Sequence, residues 1–261
     1  MKTPFKHSLL LISLLILFAG CSTTLTYKPS LLHFSTPETS GGFGEGTAEL
    51  QLASGEPEYN LGTLSNNSVT SASSPISVSD AKGDVSNKLS LYIGILEKID
   101  FYLDSNRIMG MKFQAFGSSR LSRKKGLKVS LEFRYGHKAS NNTSINPFSS
   151  DTSIDMNVKD YSLNIGYRFN PEYLFYINTF RSENSVSSYQ YSETLTNGVR
   201  TSFSSYTFNA PTSSQGILLG FNILQNNTTS MTLETGVSKT TWNNFEAITS
   251  FPIGINLGYI W

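Results

Sequence analysis

Cysteine occurs once in this 261-residue chain, at position 21, so no internal disulfide can form. Histidine is nearly as scarce: His7, His33 and His137 are too scattered to suggest a Cys/His metal centre, and none is expected. Charged residues make up 15% of the chain and the net charge is +1. No basic block points to nucleic acid, and no acidic tail points to a cationic partner. Long apolar runs are also missing. The longest, Leu9–Phe18, is broken by Ser13 and falls short of the roughly 20 residues a membrane-spanning helix needs. Helical periodicity is almost absent beyond it. What remains abundant is Gly, Ser, Thr, Asn and Tyr, a composition suited to strands and surface turns.

The two ends carry the most specific signals. Lys2, Lys6 and His7 precede the apolar run, which closes in Phe18-Ala19-Gly20-Cys21-Ser22. This resembles the lipobox of bacterial lipoproteins, with Phe18 standing where Leu is usual. The resemblance implies that residues 1–20 are a signal peptide and that Cys21 becomes the acylated first residue. Ser22, in place of an inner-membrane-retaining Asp, implies the outer membrane. At the other end, Phe251, Ile253, Ile255, Leu257, Tyr259 and Trp261 share one strand face, opposite Pro252, Gly254, Asn256 and Gly258. An apolar face toward lipid with small or polar residues behind it suits a membrane barrel. The segment resembles the terminal strand of bacterial outer-membrane barrels, which implies recognition by the barrel assembly machinery.

Between the ends the pattern is all-β. Residues 21–41, with Pro29 and Pro37 and no sustained period, read as a lipidated periplasmic tether, and residues 42–261 as an antiparallel transmembrane β-barrel. Ten strands are expected: Gly42–Leu52, Asn87–Ile95, Ile99–Leu103, Ile108–Phe116, Gly126–His137, Asn157–Phe169, Glu172–Arg181, Gly216–Leu224, Ser230–Thr241 and Phe251–Trp261. Dropping the third and fourth gives eight. Counting Ser188–Leu195 and Arg200–Asn209 as a separate pair gives twelve; otherwise they form a hairpin above the membrane, closed at Asn197-Gly198. Long extracellular loops are expected at 53–86, 138–155 and 182–215, with short turns on the periplasmic side. A chain anchored by Cys21 in the inner leaflet and ending in the periplasm needs an even strand count.

Placing apolar residues outward puts Glu45, Glu49, Asp100, Lys112, Lys128, Glu132, Arg134, Asp160, Arg168 and Glu234 in the lumen. The signs nearly balance, which favours a salt-bridged filling over a one-sign filter. Pairing the fifth and sixth strands brings Arg134 near Asp160. Tyr167, Phe169, Phe221, Tyr259 and Trp261 are expected at the membrane interface. Ile93-Gly94-Ile95, Ile165-Gly166-Tyr167, Leu219-Gly220-Phe221 and Leu257-Gly258-Tyr259 repeat an apolar-Gly-apolar step, with the glycine inward.

Little points to catalysis. Outer-membrane proteases of ten strands resemble the chain in strand count, yet no spacing here matches their Asp pair and Asp-His pair. His137 at the outer rim, near Ser140, Asp151 and Asp155, is the one general-base candidate. No enzyme activity and no cofactor are expected. The leading reading is a lipid-anchored outer-membrane barrel with a structural or surface-interaction role. Its partners would be outer-membrane lipids and an extracellular ligand, met through Tyr189, Tyr191, Phe203, Tyr206 and Phe208. Two alternatives stand: a small-solute channel using the charged lumen, and a tethered periplasmic β-sandwich or lipocalin-like binding protein.

Overall fold

The computed structural model describes residues 23–65, 68–70, 78–79, 85–144, 148–196, 199–225, 228–242 and 247–261. Its strands in chain order are β1 (Thr23–Tyr27), β2 (Gly46–Ser54), β3 (Glu58–Ser65), β4 (Ser68–Thr70), β5 (Val78–Ser79), β6 (Ser86–Leu96), β7 (Ile99–Asp104) and β8 (Ile108–Phe116). There follow β9 (Gly126–Ser144), β10 (Phe148–Arg168), β11 (Tyr173–Thr196), β12 (Val199–Gln225), β13 (Thr229–Trp242), β14 (Ile248–Ser250) and β15 (Ile253–Ile260).

Ten of these close a ring. Antiparallel pairing runs from β2 through β6, β7, β8, β9, β10, β11 and β12 to β13, and β15 joins β13 back to β2. β14 extends the last strand along β13, interrupted at Phe251 and Pro252; Pro252 has no N–H to give a ladder, but its carbonyl accepts from Gly236 N at 3.2 Å. The ring includes β7 and β8, which removes the eight-strand count. Ser188–Leu195 and Arg200–Asn209 continue β11 and β12, which removes the twelve-strand count.

The period-2 alternation explains which way each strand faces. On β9, Leu127, Leu131, Phe133 and Tyr135 point outward and exposed, while Lys128, Ser130, Glu132 and Arg134 are buried within. Met109, Met111 and Phe113 extend the apolar outer surface on β8. This is the inside-out arrangement of a transmembrane barrel, in which lipid takes the place of a core. A sandwich or lipocalin-like barrel would bury these apolar residues, so that alternative falls. Leu131 pairs with Leu163 and Phe113 in the middle of this band. Leu131→Arg is expected to lower stability in lipid vesicles by about 2–4 kcal/mol. Ser130→Ala, one residue away and facing inward, should change the urea midpoint far less.

Two expectations about connections are corrected. Among the described residues, 138–144, 148–155, 182–196 and 199–215 are not loops but strand. β9 to β12 are 19, 21, 24 and 27 residues long, and β10 pairs with β11 without a register shift from Phe148↔Thr194 to Arg168↔Leu174. About 9–11 residues cross a bilayer, so these strands form a tall wall on one side of the barrel. Above the apolar band no lipid dictates the outer face, so polar side chains there are compatible with strand pairing, while the inward Ser182, Asn184, Val186 and Thr212 stay buried. Asn197 and Gly198 lie outside the described residues, but Thr196 pairs with Val199 across them. The stretch 53–86 does hold a connection. Within it β3 pairs with β1, β4 and β5 in a small separate sheet.

The second correction concerns the tether. Leu31 to Ser40 are buried inside the barrel, and Leu31, Leu32 and Phe34 pack with Ala53, Phe180 and Leu218. The segment enters at the tall end, descends the lumen, and reverses at the turn end through Gly41 (φ 127°) and Gly44 (φ 82°) into β2. Both φ values lie in the region open to glycine. The wall makes room for it with glycines. A Cβ on Gly254 would fall 2.6 Å from Leu32 Cδ1, and one on Gly166 would fall 2.9 Å from Pro37 Cγ. At these two positions the missing side chain admits the central segment.

Candidate functional site: the filled lumen and the tall wall

The buried segment carries polar groups that would be costly inside a barrel without partners, and the wall supplies them. Near the tall end, Leu31 N donates to Glu56 Oε1 at 2.8 Å, and Ser86 Oγ donates to Glu56 Oε2 at 2.8 Å. One step down, His33 Nε2 faces Asp160 Oδ2 at 2.7 Å and Nδ1 faces the Leu31 carbonyl at 3.1 Å. Both ring nitrogens are thus placed to donate, and the ring lies 4.5 Å from that of Phe180.

Glu234 is held by backbone N–H groups and a hydroxyl rather than by a lysine or arginine among the described residues. Its Oε2 accepts from His33 N at 2.9 Å and Phe34 N at 2.7 Å, and its Oε1 accepts from Tyr176 at 3.1 Å. Phe34 has φ 49°, a left-handed conformation that accompanies the convergence of two successive N–H groups on one carboxylate oxygen.

The middle layer centres on Glu132 and Arg134. Arg134 Nε donates to Glu132 Oε1 at 2.9 Å, and its Nη2 donates to the His33 carbonyl at 3.2 Å and to Tyr92 at 3.0 Å. Ser35 Oγ donates to Glu132 Oε2. The Arg134 guanidinium stands 4.2 Å over the Tyr102 ring, and Lys112 Nζ 4.1 Å over the Tyr92 ring. At the turn end, Arg168 grips Glu38 through Nε at 2.8 Å and through Nη2, with Lys128 Nζ 3.4 Å from the same carboxylate. Ser40 N donates to Asp100 Oδ2 at 2.8 Å, and Thr39 N to Gln114 Oε1 at 3.0 Å. Arg120 folds inward from the β8–β9 connection to donate to Thr47 and Thr36.

Of the charges assigned to the lumen from sequence, Glu49, Asp100, Lys112, Lys128, Glu132, Arg134, Asp160, Arg168 and Glu234 are buried there. Glu45 is corrected: it precedes β2 at the inner mouth, part-exposed, where its carbonyl accepts from Gly94 N at 2.7 Å. Arg134 and Asp160 stand opposite each other in the β9–β10 register, yet each binds elsewhere, Arg134 to Glu132 and Asp160 to His33. The sequence reading missed the other half of the network, His33, Ser35, Glu38 and Glu56. The apolar cluster Leu31-Leu32-His33-Phe34, out of place in a solvated tether, is the signal that would have found it. A small vestibule of about 70 Å³ remains above the filling, between Lys28, Lys88, Asp104, Arg134 and Asp160. It has room for a few waters.

On the outside, Tyr167, Phe169, Phe221, Tyr259 and Trp261 are exposed around the turn end. Tyr167 contacts Phe169 at 5.2 Å, and Tyr259 stacks on Trp261 at 6.5 Å. His137 stands on the outer surface, half-exposed, 3.6 Å from Asp155, with Nδ1 3.0 Å from Asn157 Oδ1. The side chains of Ser140 and Asp151 lie outside the described residues, as do those of Tyr191, Phe203, Tyr206 and Phe208, and Cys21 itself. Tyr189 is exposed on the tall wall.

No protein-family model matches the sequence, and no curated protein matches it. Among solved structures the chain is similar to Ail, the attachment invasion locus protein of Yersinia pestis, in complex with the heparin analogue sucrose octasulfate. That likeness has 10% identity, covers 84% of this chain and 99% of the other, and has a TM-score of 0.32. It is also similar to the outer-membrane protease OmpT from Escherichia coli, at 8% identity over 83% of this chain and 92% of the other, with a TM-score of 0.36. Neither likeness bears on the chemistry of this chain.

Proposed function

We propose that the protein is a bacterial outer-membrane barrel with a surface-interaction role, performed by the tall wall of β9 to β12. The observation that carries this reading is the continuous pairing of β11 with β12 from Tyr173↔Ile223 to Thr196↔Val199. β12, at 27 residues, exceeds a bilayer span of about 9–11 by roughly 16–18 residues, or roughly 50–60 Å of strand at about 3.3 Å per residue. A sheet raised that far from the membrane presents a broad ordered surface with no role in spanning. In this orientation the short turns and Trp261 face the periplasm, and the closing strand offers its terminal aromatic to the assembly machinery. Cys21 is the residue that would carry the lipid. A catalytic role through His137 finds no support in its exposed pairing with Asp155.

The filled lumen weighs against the channel reading, because the segment from Leu31 to Ser40 occupies the path. The interaction reading is tested by removing Ser187–Asn209, which joins the wall at the Val186↔Ala210 pair. Cells displaying the shortened protein should keep a heat-modifiable barrel and lose binding to arrayed glycans and matrix proteins. Equal binding by both forms would sink the proposal.

A further inference from the structure

The direction of the luminal segment has a topological consequence. Its contacts step in order from the tall end to the turn end: Leu31 to Glu56, His33 to Asp160, Ser35 to Glu132, Glu38 to Arg168, Ser40 to Asp100. Lys28, Pro29 and Ser30 line the vestibule with Lys88, Asp104, Asn106 and Ile108, which mark the tall-end mouth of β6, β7 and β8. The preceding residues continue away from the membrane. β1 pairs with β3 from Thr23↔Leu64 to Tyr27↔Tyr59, and β3 belongs to the connection between β2 and β6 at that same mouth. β4 in turn touches β11 and β12, and β3 touches β11, so the small sheet stands beside the tall wall. At the opposite mouth the chain is committed to β2: Gly44 N donates to Gly94 O at 3.1 Å and Gly46 N to Trp261 O at 3.1 Å.

From these contacts we infer that the polypeptide before Lys28, Cys21 included, lies on the cell surface of the outer membrane. The inference rests on the outer-membrane reading above and reverses the inner-leaflet anchor expected from sequence. Cys21 is two residues before Thr23, about 7 Å of extended chain, so it cannot return through the filled lumen. Keeping Cys21 in the inner leaflet would require residues 28–40 to leave the barrel. Glu38 would then leave Arg168, His33 would leave Asp160, and Glu234 would lose both backbone donors. The wall charges complement this segment in this direction, so threading is part of the folded state. The barrel must close around a chain that already spans it, and the N-terminus is delivered outside by the same event. The small sheet and the tall wall then share one face of the membrane.

Labelling of intact cells with a membrane-impermeant maleimide tests this on the full-length protein. Thr24→Cys reports the N-terminal segment, Ser205→Cys the tall wall, and Lys124→Cys the turn end. Thr24→Cys is expected to label in intact cells to the same extent as Ser205→Cys, while Lys124→Cys labels only after permeabilisation. The unsubstituted protein, its one thiol blocked by acylation, is expected to stay unlabelled. Thr24→Cys behaving like Lys124→Cys would overturn the inference. If instead the two controls exchange behaviour, the orientation is wrong and the surface placement fails with it, whereas Thr24→Cys still following Ser205→Cys supports the threading. Labelling of the unsubstituted protein in intact cells would show a free thiol on Cys21 and support its surface position.

Discussion

Glu38→Ala is expected to destabilise the barrel by about 3–5 kcal/mol, because it leaves two cations buried without their carboxylate. Arg168 and Glu38 have fully buried side chains, and Lys128 Nζ lies 3.4 Å from the same carboxylate. The guanidinium keeps Nη1 on the Pro171 carbonyl at 3.0 Å, and Lys128 keeps the Ser118 carbonyl at 2.8 Å, so neither is stripped of every partner. What disappears is the anion both were arranged around. Water entering from the nearby inner mouth would soften the loss and set the lower end of the range. Glu38→Gln, which preserves shape and removes charge, should fall between. Arg168→Met added to Glu38→Ala should recover part of the stability, since one uncompensated charge then goes as well. The exposed pair Arg181–Glu183, at 2.8 Å with side chains 62% and 45% exposed, supplies the contrast. Breaking it should cost no more than about 1 kcal/mol. Urea unfolding in lipid vesicles, followed through Trp242 and Trp261, measures all of these. Equal effects at Glu38 and Glu183 would show that the luminal segment is not held as described.

How far this arrangement is legible without coordinates depends on what imposes the pattern. Lipid imposes the outer face of β9, so Leu127, Leu131, Phe133 and Tyr135 alternate cleanly with Lys128, Ser130, Glu132 and Arg134, and the inward side follows. Above the membrane that constraint ends. The outer face is then free to be polar too, so the described residues 138–144, 148–155, 182–196 and 199–215 read as loops although they belong to β9 to β12. The luminal segment obeys neither the period of a strand nor that of a helix, because each residue meets a different part of the wall. Glu234 shows the limit most clearly. Counting side-chain charges finds it no partner, since its donors are the backbone N–H groups of His33 and Phe34, more than 190 residues earlier in the chain. The glycines tell a similar story. Gly166 and Gly258 repeat one sequence pattern, yet a Cβ at Gly166 would press on Pro37 of the luminal segment as well as on Phe175 and Tyr176 of the neighbouring strand, and one at Gly258 foremost on Ser230. A motif shared by several strands therefore answers to different local crowding at each.

Withdrawing the luminal segment should convert a silent barrel into a conducting one. The complete protein in planar bilayers is expected to show no discrete conductance, because residues 31–40 are buried throughout the lumen and hydrogen-bonded to the wall along their length. A chain starting at Gly42 behind a signal peptide would lack that segment. It vacates the cross-section of one extended chain, roughly 5 by 10 Å from strand and sheet spacings, which is enough for hydrated ions. The wall left behind carries the acids Glu49, Glu56, Asp100, Asp104, Glu132, Asp160 and Glu234 against the bases Lys88, Lys112, Arg120, Lys128, Arg134 and Arg168. That imbalance predicts mild cation preference, reversed in sign by Glu132→Gln together with Glu234→Gln. Heat-modifiable migration checks that the shortened chain still closes. A synthetic peptide of residues 28–41 added to the tall-end side should block the current, because it can restore the Glu38–Arg168 and His33–Asp160 contacts. Conductance by the complete protein equal to that of the shortened chain would mean that the filling does not close the barrel, and the channel reading would return. Silence from a folded, shortened barrel would instead mean that wall side chains such as Arg134, Tyr92 and Tyr176 collapse into the vacated space, making the lumen self-filling.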